Sequence, residues 1–152
     1  MLEWLESTQI ALWVGQSPSV WSMPTILTLH TTGLALLVGA SWVLDLRLLG
    51  ISRTIPLSAF GWVFPVVAVG LVVNVITGVL LFMKAATTWG TSFPFLIKMT
   101  LVAASVATVV PIRAHVLRGD TPGDNVRVWA IASIVAWCAA VTAGRLLAYL
   151  MV

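Results

Sequence analysis

Four strongly polar side chains interrupt the apolar segments of this sequence, one in each segment: His30, Asn74, Lys98 and Arg145. An imidazole can bind iron as an axial ligand, and the two cations suit an anionic ligand. A helix rises about 1.5 Å per residue. Counted from the segment ends that would share one side of a helix bundle, Lys98 lies roughly 6 Å, His30 roughly 9 Å and Arg145 roughly 10 Å inside its segment. Asn74 lies deeper, at roughly 15 Å. The spacing therefore predicts one polar layer to which four helices contribute.

This predicted layer carries two cations and no carboxylate. Charge inside a membrane is costly and usually faces the interior of a helix bundle. Lys98 and Arg145 therefore either extend outward to lipid phosphates or to the N-terminal acids Glu3 and Glu6, or they hold an anionic ligand. Haem propionates, a quinone or an acidic phospholipid would each suit such a site.

His30 is the candidate metal ligand, as the axial ligand of a b-type haem. Gly33, one helical turn away, would let a flat macrocycle approach the backbone. The alternative is a histidine that is hydrogen-bonded to Asn74 or to a carbonyl group. His115 is excluded as a second ligand within one chain, because it lies roughly 20 Å from His30 along the bundle. The predicted cofactor-binding residues are His30, Gly33, Asn74, Lys98 and Arg145.

The elements that must position these residues are membrane-spanning helices. The chain has 152 residues, of which 60% are hydrophobic and only 9% are charged, whereas a soluble domain carries roughly 25% charged residues. A membrane-spanning helix needs about 20 apolar residues, and such segments run over about 24–46, 59–83, 94–116 and 128–151. The sequence therefore predicts an all-α fold, a four-helix integral membrane bundle that forms one domain over residues 1–152.

A further segment, over about residues 2–15, is too polar and too short to cross a bilayer. Trp4, Leu5, Ile10 and Trp13 give it an apolar side. This composition predicts an N-terminal amphipathic helix that lies in the membrane interface.

Lysine and arginine predict the orientation of the chain. Five of the eight basic residues lie around the first and third loops, and basic residues favour the cytoplasmic side of a membrane. Both termini are then expected outside. The net charge of +3 comes from scattered residues, so nucleic acid is not an expected partner.

Small residues recur at every fourth position of the last apolar segment: Ala132, Ala136, Ala140, Gly144 and Ala148. Such a ridge lets membrane helices approach closely, so a homo-oligomer or a subunit of a membrane complex is expected. The chain has no phosphate loop, no nucleophile with a plausible base and no catalytic carboxylate pair. An electron-transfer or structural subunit is therefore expected rather than a stand-alone enzyme.

Three stretches carry a resemblance to known proteins: WSMPTILTLHTTGLALLVGASWVLDLRLLG, VITGVLLF and FLIKMTL. They resemble a family of small bacterial four-helix membrane proteins that is catalogued as a domain of unknown function. The resemblance covers most of the chain and implies a bacterial inner-membrane location. More distantly, a histidine beside small residues in a four-helix bundle looks like the cytochrome b561-type and copper-resistance membrane proteins. This chain departs from the cytochrome pattern because it lacks paired histidines at matching depth.

Two functions follow as expectations. The first is a small membrane protein that binds a redox cofactor, b-type haem before quinone, and exchanges electrons with a quinol or a protein partner. The alternative is a non-catalytic subunit that scaffolds a larger membrane complex. In that case the polar layer would bind membrane lipid or a carboxylate of the partner.

Overall fold

The fold consists of helices and their connections. The computed structural model describes residues 2–119 and 122–150. Its helices are α1 (Leu2–Glu6), α2 (Gln9–Gln16), α3 (Met23–Leu48), α4 (Val63–Met83), α5 (Ala86–Gly90), α6 (Phe93–Arg118) and α7 (Asp124–Leu150), with one 3-10 turn at Leu57–Phe60. No strand occurs among these residues, so the predicted all-α class is confirmed.

Four of the helices are long and apolar enough to cross a membrane, with mean hydropathies of 1.5 for the segment of α3, 2.6 for that of α4, 2.0 for that of α6 and 1.7 for that of α7. Each of these four helices runs antiparallel to the next one in the sequence. We call the end where α3 and α6 begin the upper end, and the end where α4 and α7 begin the lower end. Their bounds agree with the predicted segments within a few residues, although the predicted end at Met151 lies outside the described residues.

The helix α7 begins earlier than the composition suggested. Asp124 and Asn125 form its first turn, four residues before the predicted start at Val128. A carboxylate in the first turn is favourable because it faces the positive end of the helix dipole. Hydropathy alone ignores this effect, since it counts Asp124 only as a polar residue.

The closest packing joins α3 to α4 through two glycines. A Cβ atom added at Gly70 would lie 2.7 Å from the Leu37 nitrogen and 2.8 Å from the Gly33 carbonyl oxygen. No side chain fits at such distances, so the two backbones touch there. A second close pair is formed by α6 and α7, and α3 joins the two pairs through its contacts with α7.

The bundle is apolar on its outside as well as inside. Its core contains large, fully buried side chains such as Leu37, Leu48 and Trp137. The outward face of α4 is also apolar, and Val69, Val72 and Ile76 are each more than half exposed. A helix that is hydrophobic all round is typical of an apolar surrounding.

The N-terminal segment forms two short helices instead of the single predicted one. The chain breaks after Glu6, where the Thr8 hydroxyl accepts a hydrogen bond from the Ala11 amide at 3.3 Å and caps α2. A threonine side chain that accepts a hydrogen bond from a backbone amide three residues later favours the start of a new helix over a continuous one. The helix α2 then packs on the bundle through Val14, which is 1% exposed and contacts Ile26 and Leu81.

Glu6 ties α1 to the first turn of α5. Its carboxylate accepts hydrogen bonds from the backbone amide of Thr87 at 2.7 Å and from the Thr87 hydroxyl at 2.6 Å. These two bonds favour the ionised carboxylate and lower the pKa of Glu6 below its ordinary value of 4.5. Because the pKa of Glu6 is lowered in the folded protein, the two bonds stabilise the contact of α1 with α5 above pH 4.5. This contribution is lost as the pH falls through the folded-state pKa of Glu6.

We expect α1 to detach from α5 in acid. Hydrogen exchange at the Thr87 amide should accelerate as the pH falls below 4.5, after correction for the intrinsic rate. Glu6→Gln should show fast exchange already at neutral pH and little further pH dependence. Glu3→Gln is the matched control, because Glu3 is exposed on the same helix. If Glu6→Gln kept the pH profile of the wild type, Glu6 would not be the group that holds α1 on α5.

Candidate functional site

The ring of His30 is held against α4 by a hydroxyl group. Its Nδ1 lies 2.9 Å from Oγ1 of Thr77. That hydroxyl also lies 2.7 Å from the carbonyl oxygen of Val73, which can only accept a hydrogen bond. Thr77 has a single hydroxyl proton, so this proton goes to the carbonyl and the oxygen accepts from His30. The hydrogen-bond network thus assigns the tautomer in which Nδ1 carries the proton.

The other ring nitrogen of His30 is left unprotonated in the neutral imidazole. Nε2 has no hydrogen-bond partner among the described residues, and it is not one of their enclosed polar atoms. The side chain is half-buried. A fixed, reachable Nε2 lone pair is what a metal or a hydrogen-bond donor requires, and a partner on Nδ1 is the usual means of orienting a ligating histidine.

Asn74 lies beside His30, but it contacts the backbone and not the ring. Its Nδ2 donates a hydrogen bond of 2.9 Å to the carbonyl oxygen of His30. Gly78, one turn further along α4, makes room for the ring, because a Cβ atom there would lie 3.3 Å from Cε1 of His30. Asn74, Thr77 and Gly78 lie on one face of α4, and together they seat the histidine.

Gly33 serves the helix contact. A Cβ atom at Gly33 would lie 3.0 Å from Cγ1 of Val73 and 3.2 Å from the backbone nitrogen of Asn74. The space beside Gly33, where a macrocycle was expected from the sequence, is therefore filled by α4. Its place in the site is indirect, since it lets Asn74 reach the His30 carbonyl.

Lys98 brings a positive charge from α6 to the same level. Its side chain is half-buried and passes α7 at Gly144, where an added Cβ atom would lie 3.6 Å from Cε of Lys98. Over residues 2–119 and 122–150, no ion pair involves Lys98.

Arg145 does not join this group. Its side chain is exposed, because it is rotated by about 100° from Gly144, the α7 residue that contacts Lys98. Of the predicted site residues, the structure brings His30 and Asn74 into contact, with Gly33 behind them. Lys98 lies on α6 beside Gly144 of α7. The exposed Arg145 lies on the surface of the bundle at the upper end.

Thr77, Gly78 and Gly144 were not among the predicted cofactor-binding residues. Thr77 and Gly78 follow Asn74 by three and four residues, which is the spacing of one helix face. That spacing could have indicated them. Gly144 belongs to the predicted ridge of small residues, but the ridge alone does not show that Lys98 of α6 would pass it.

The described residues hold no group of three or more His, Cys, Asp or Glu side chains that could bind a bare metal ion. A lone histidine can still bind iron in a porphyrin, because the macrocycle supplies four ligands. Comparisons with family models, curated proteins and solved structures found no match to this chain, so the family likeness remains a resemblance carried by the three sequence stretches.

Proposed function

We propose that this protein is an integral membrane protein whose α3, α4, α6 and α7 cross the bilayer. The length and hydropathy of these helices support the proposal. Exposed tryptophans occur at both ends of the bundle, with Trp4 and Trp21 at the upper end and Trp62 and Trp129 at the lower end. Tryptophan is enriched at both membrane interfaces. The short helices α1 and α2 would then lie at the upper interface, with Trp13 toward the lipid.

The proposed location is the bacterial inner membrane, with the lower end in the cytoplasm and both termini outside. Five of the eight basic residues, Arg47, Arg53, Arg113, Arg118 and Arg127, lie at or near the lower end. The excess of arginine there supports this orientation. His30 and Lys98 then belong to the outer half of the membrane.

Within this frame, we propose that the protein binds a redox cofactor, b-type haem, and takes part in electron transfer with a quinol or a protein partner. The observation that carries the proposal is the pair of short contacts at the Thr77 hydroxyl, from which we assign the ring proton of His30 to Nδ1 and leave Nε2 unprotonated. Thr77 orients the ring and Asn74 holds the backbone, and Lys98 of α6 would supply the positive charge for a propionate. The haem would supply the change of redox state, and these residues would hold it in place.

The visible spectrum of the purified protein tests this proposal. The protein is extracted in a mild detergent, and haemin is added in steps. We expect a shifted Soret band that saturates at a fixed ratio of haem to protein, and a further change on reduction with dithionite. A spectrum equal to that of haemin in detergent alone would refute haem binding.

Thr77→Val should weaken haem binding without removing it. The substitution deletes the hydroxyl that orients the His30 ring, and loss of such an outer partner typically costs roughly 10–100-fold in metal affinity. Thr31→Val is the matched control, because the Thr31 hydroxyl bonds the carbonyl of Leu27 at 2.8 Å on an exposed face of α3. Haemin titration of the two variants gives the comparison. Equal affinities would show that Thr77 does not position the ligand.

A second candidate function is a non-catalytic subunit of a larger membrane complex or of a homo-oligomer. The exposed guanidinium of Arg145 favours it, because a charge on the outside of the bundle needs a lipid phosphate or a partner carboxylate. Crosslinking in native membranes, followed by mass spectrometry of copurified phospholipid and quinone, tests this function. A strictly monomeric protein without bound lipid or quinone would contradict it.

A further inference from the structure

The lower half of the bundle contains a buried carboxyl group that the proposed haem site does not use. Asp45 lies three residues before the end of α3, and only 1% of its surface is exposed. Among the residues that the structure describes, none forms a hydrogen bond with its Oδ2. Ser133 of α7 lines the same cavity as the carboxyl group, and within the described residues its hydroxyl makes no hydrogen bond of good geometry.

Asp45 and Ser133 line a small cavity where the four long helices meet. Its volume is about 10 Å³, which is roughly the space that one water molecule needs. Ser41 adds a third oxygen from α3, and its own proton goes to the carbonyl of Leu37 at 2.8 Å. The remaining walls are apolar, with Val63 and Val67 from α4 and Ile112 from α6 among them.

The charged side chains near the lower end of the bundle interact with groups other than Asp45. Arg47 donates hydrogen bonds to the carbonyls of Ile55 at 2.8 Å and Arg53 at 3.1 Å, and so closes the loop after α3. On α6, the guanidinium of Arg113 lies 5.9 Å from the Phe64 ring, and His115 has a buried Nε2 without a hydrogen bond to Asp45. On α7, Arg127 pairs with Asp124 at 3.6 Å.

No cation within the described residues therefore forms an ion pair with Asp45. A buried carboxylate without a partner is strongly unfavourable. Its charge must therefore be neutralised, either by a metal cation or by a proton. A hard metal cation such as calcium takes about six to eight oxygen ligands, and the cavity offers side-chain oxygens from only three residues. A proton needs one oxygen, and a single water molecule is enough to deliver it.

We propose that Asp45 is a buried proton-binding site, in which the carboxyl group takes up a proton through the cavity that it shares with Ser41 and Ser133. The proton bonds to a carboxylate oxygen and leaves the neutral carboxylic acid. Release reverses this step. The site lies in the lower half of the bundle, apart from His30, and it does not depend on haem binding.

Infrared spectroscopy of the detergent-solubilised full chain tests the proposal. The wild type should show the carbonyl band of a protonated carboxylic acid at neutral pH, and Asp45→Asn should lack it. The band should vanish reversibly as the pH is raised, while circular dichroism shows unchanged helix. Asp124→Asn is the matched control, because the Asp124 side chain is 98% exposed, and it should keep the band.

Labelling with dicyclohexylcarbodiimide gives an independent readout. The carboxylic acid adds across a C=N bond, its proton moves to nitrogen, and the rearranged N-acylurea keeps every atom of both reactants. Peptide mass spectrometry should find this adduct on Asp45, with less of it at alkaline pH and an equal amount when sodium chloride replaces choline chloride.

Three results would overturn the proposal. The first is the absence of both the infrared band and the Asp45 adduct from folded protein, which would mean that the carboxylate is ionised. The second is protection of Asp45 by sodium, which would indicate a metal-cation site. The third is a band that persists until the helices unfold, which would show an acid that never exchanges its proton.

Discussion

Replacing His30 with alanine is expected to abolish haem binding, whereas replacing His115 with alanine is expected to leave it intact. His30 presents an unprotonated and reachable Nε2, because Thr77 holds the proton of the ring on Nδ1. Removing the ligand itself should lower the affinity for haem by more than the roughly 10–100-fold that is typical when an outer hydrogen-bond partner of a ligand is removed. Haemin titration followed at the Soret band measures the difference.

His115 is a suitable control because it is the second histidine of the chain. Its Nε2 is buried near the lower end of α6, at the opposite end of the bundle from His30. Helical circular dichroism should be preserved in both variants, so that a lost Soret shift reports the ligand. Equal binding by His30→Ala and the wild type would contradict the site. Loss of binding only in His115→Ala would place the cofactor at the other end.

Gly70→Ala is expected to destabilise the protein, although alanine is normally the better helix former. The new Cβ atom would lie 2.7 Å from the Leu37 nitrogen and 2.8 Å from the Gly33 oxygen. Both are backbone atoms, so α3 and α4 must separate. Overpacking of this kind typically costs about 1–3 kcal/mol. The separation would also draw Asn74 away from the His30 carbonyl and weaken haem binding.

Gly39→Ala is the matched control on the partner helix. No atom lies within 4 Å of a Cβ at Gly39, so only the helix propensity changes, and alanine gains roughly 0.5–1 kcal/mol over glycine inside a helix. The two substitutions should therefore shift the free energy of unfolding in opposite directions. Reversible unfolding in mixed detergent, followed by circular dichroism, measures both shifts. A stabilised Gly70→Ala variant would contradict the close contact of α3 and α4.

The long helices could be predicted because hydropathy averages over many residues. Their centres are insensitive to single positions, whereas their ends depend on local groups such as Asp124 at the start of α7. The break between α1 and α2 was missed for a related reason. It depends on the Thr8 hydroxyl and on the contact of Glu6 with Thr87, which lies 81 positions away.

Helical rise gives the depth of a residue in the candidate site only coarsely and gives no rotation. It placed His30 at roughly 9 Å and Asn74 at roughly 15 Å, whereas the Asn74 amide donates a hydrogen bond of 2.9 Å to the His30 carbonyl. Rise gives no direction around a helix axis, so Arg145 was expected beside Lys98 although Gly144 occupies that position. The burial of Asp45 was also outside the reach of the sequence, because it depends on where α7 places Ser133.

The tautomer of His30 is the most direct test of the account. Histidine labelled with the heavy nitrogen isotope can be followed by NMR in the His115→Ala variant, which leaves His30 as the single histidine. We predict a proton on Nδ1, none on Nε2, and a large change at Nε2 when haemin is added. A proton on Nε2, or an Nε2 signal that haemin does not change, would contradict the central claim that His30 holds the cofactor.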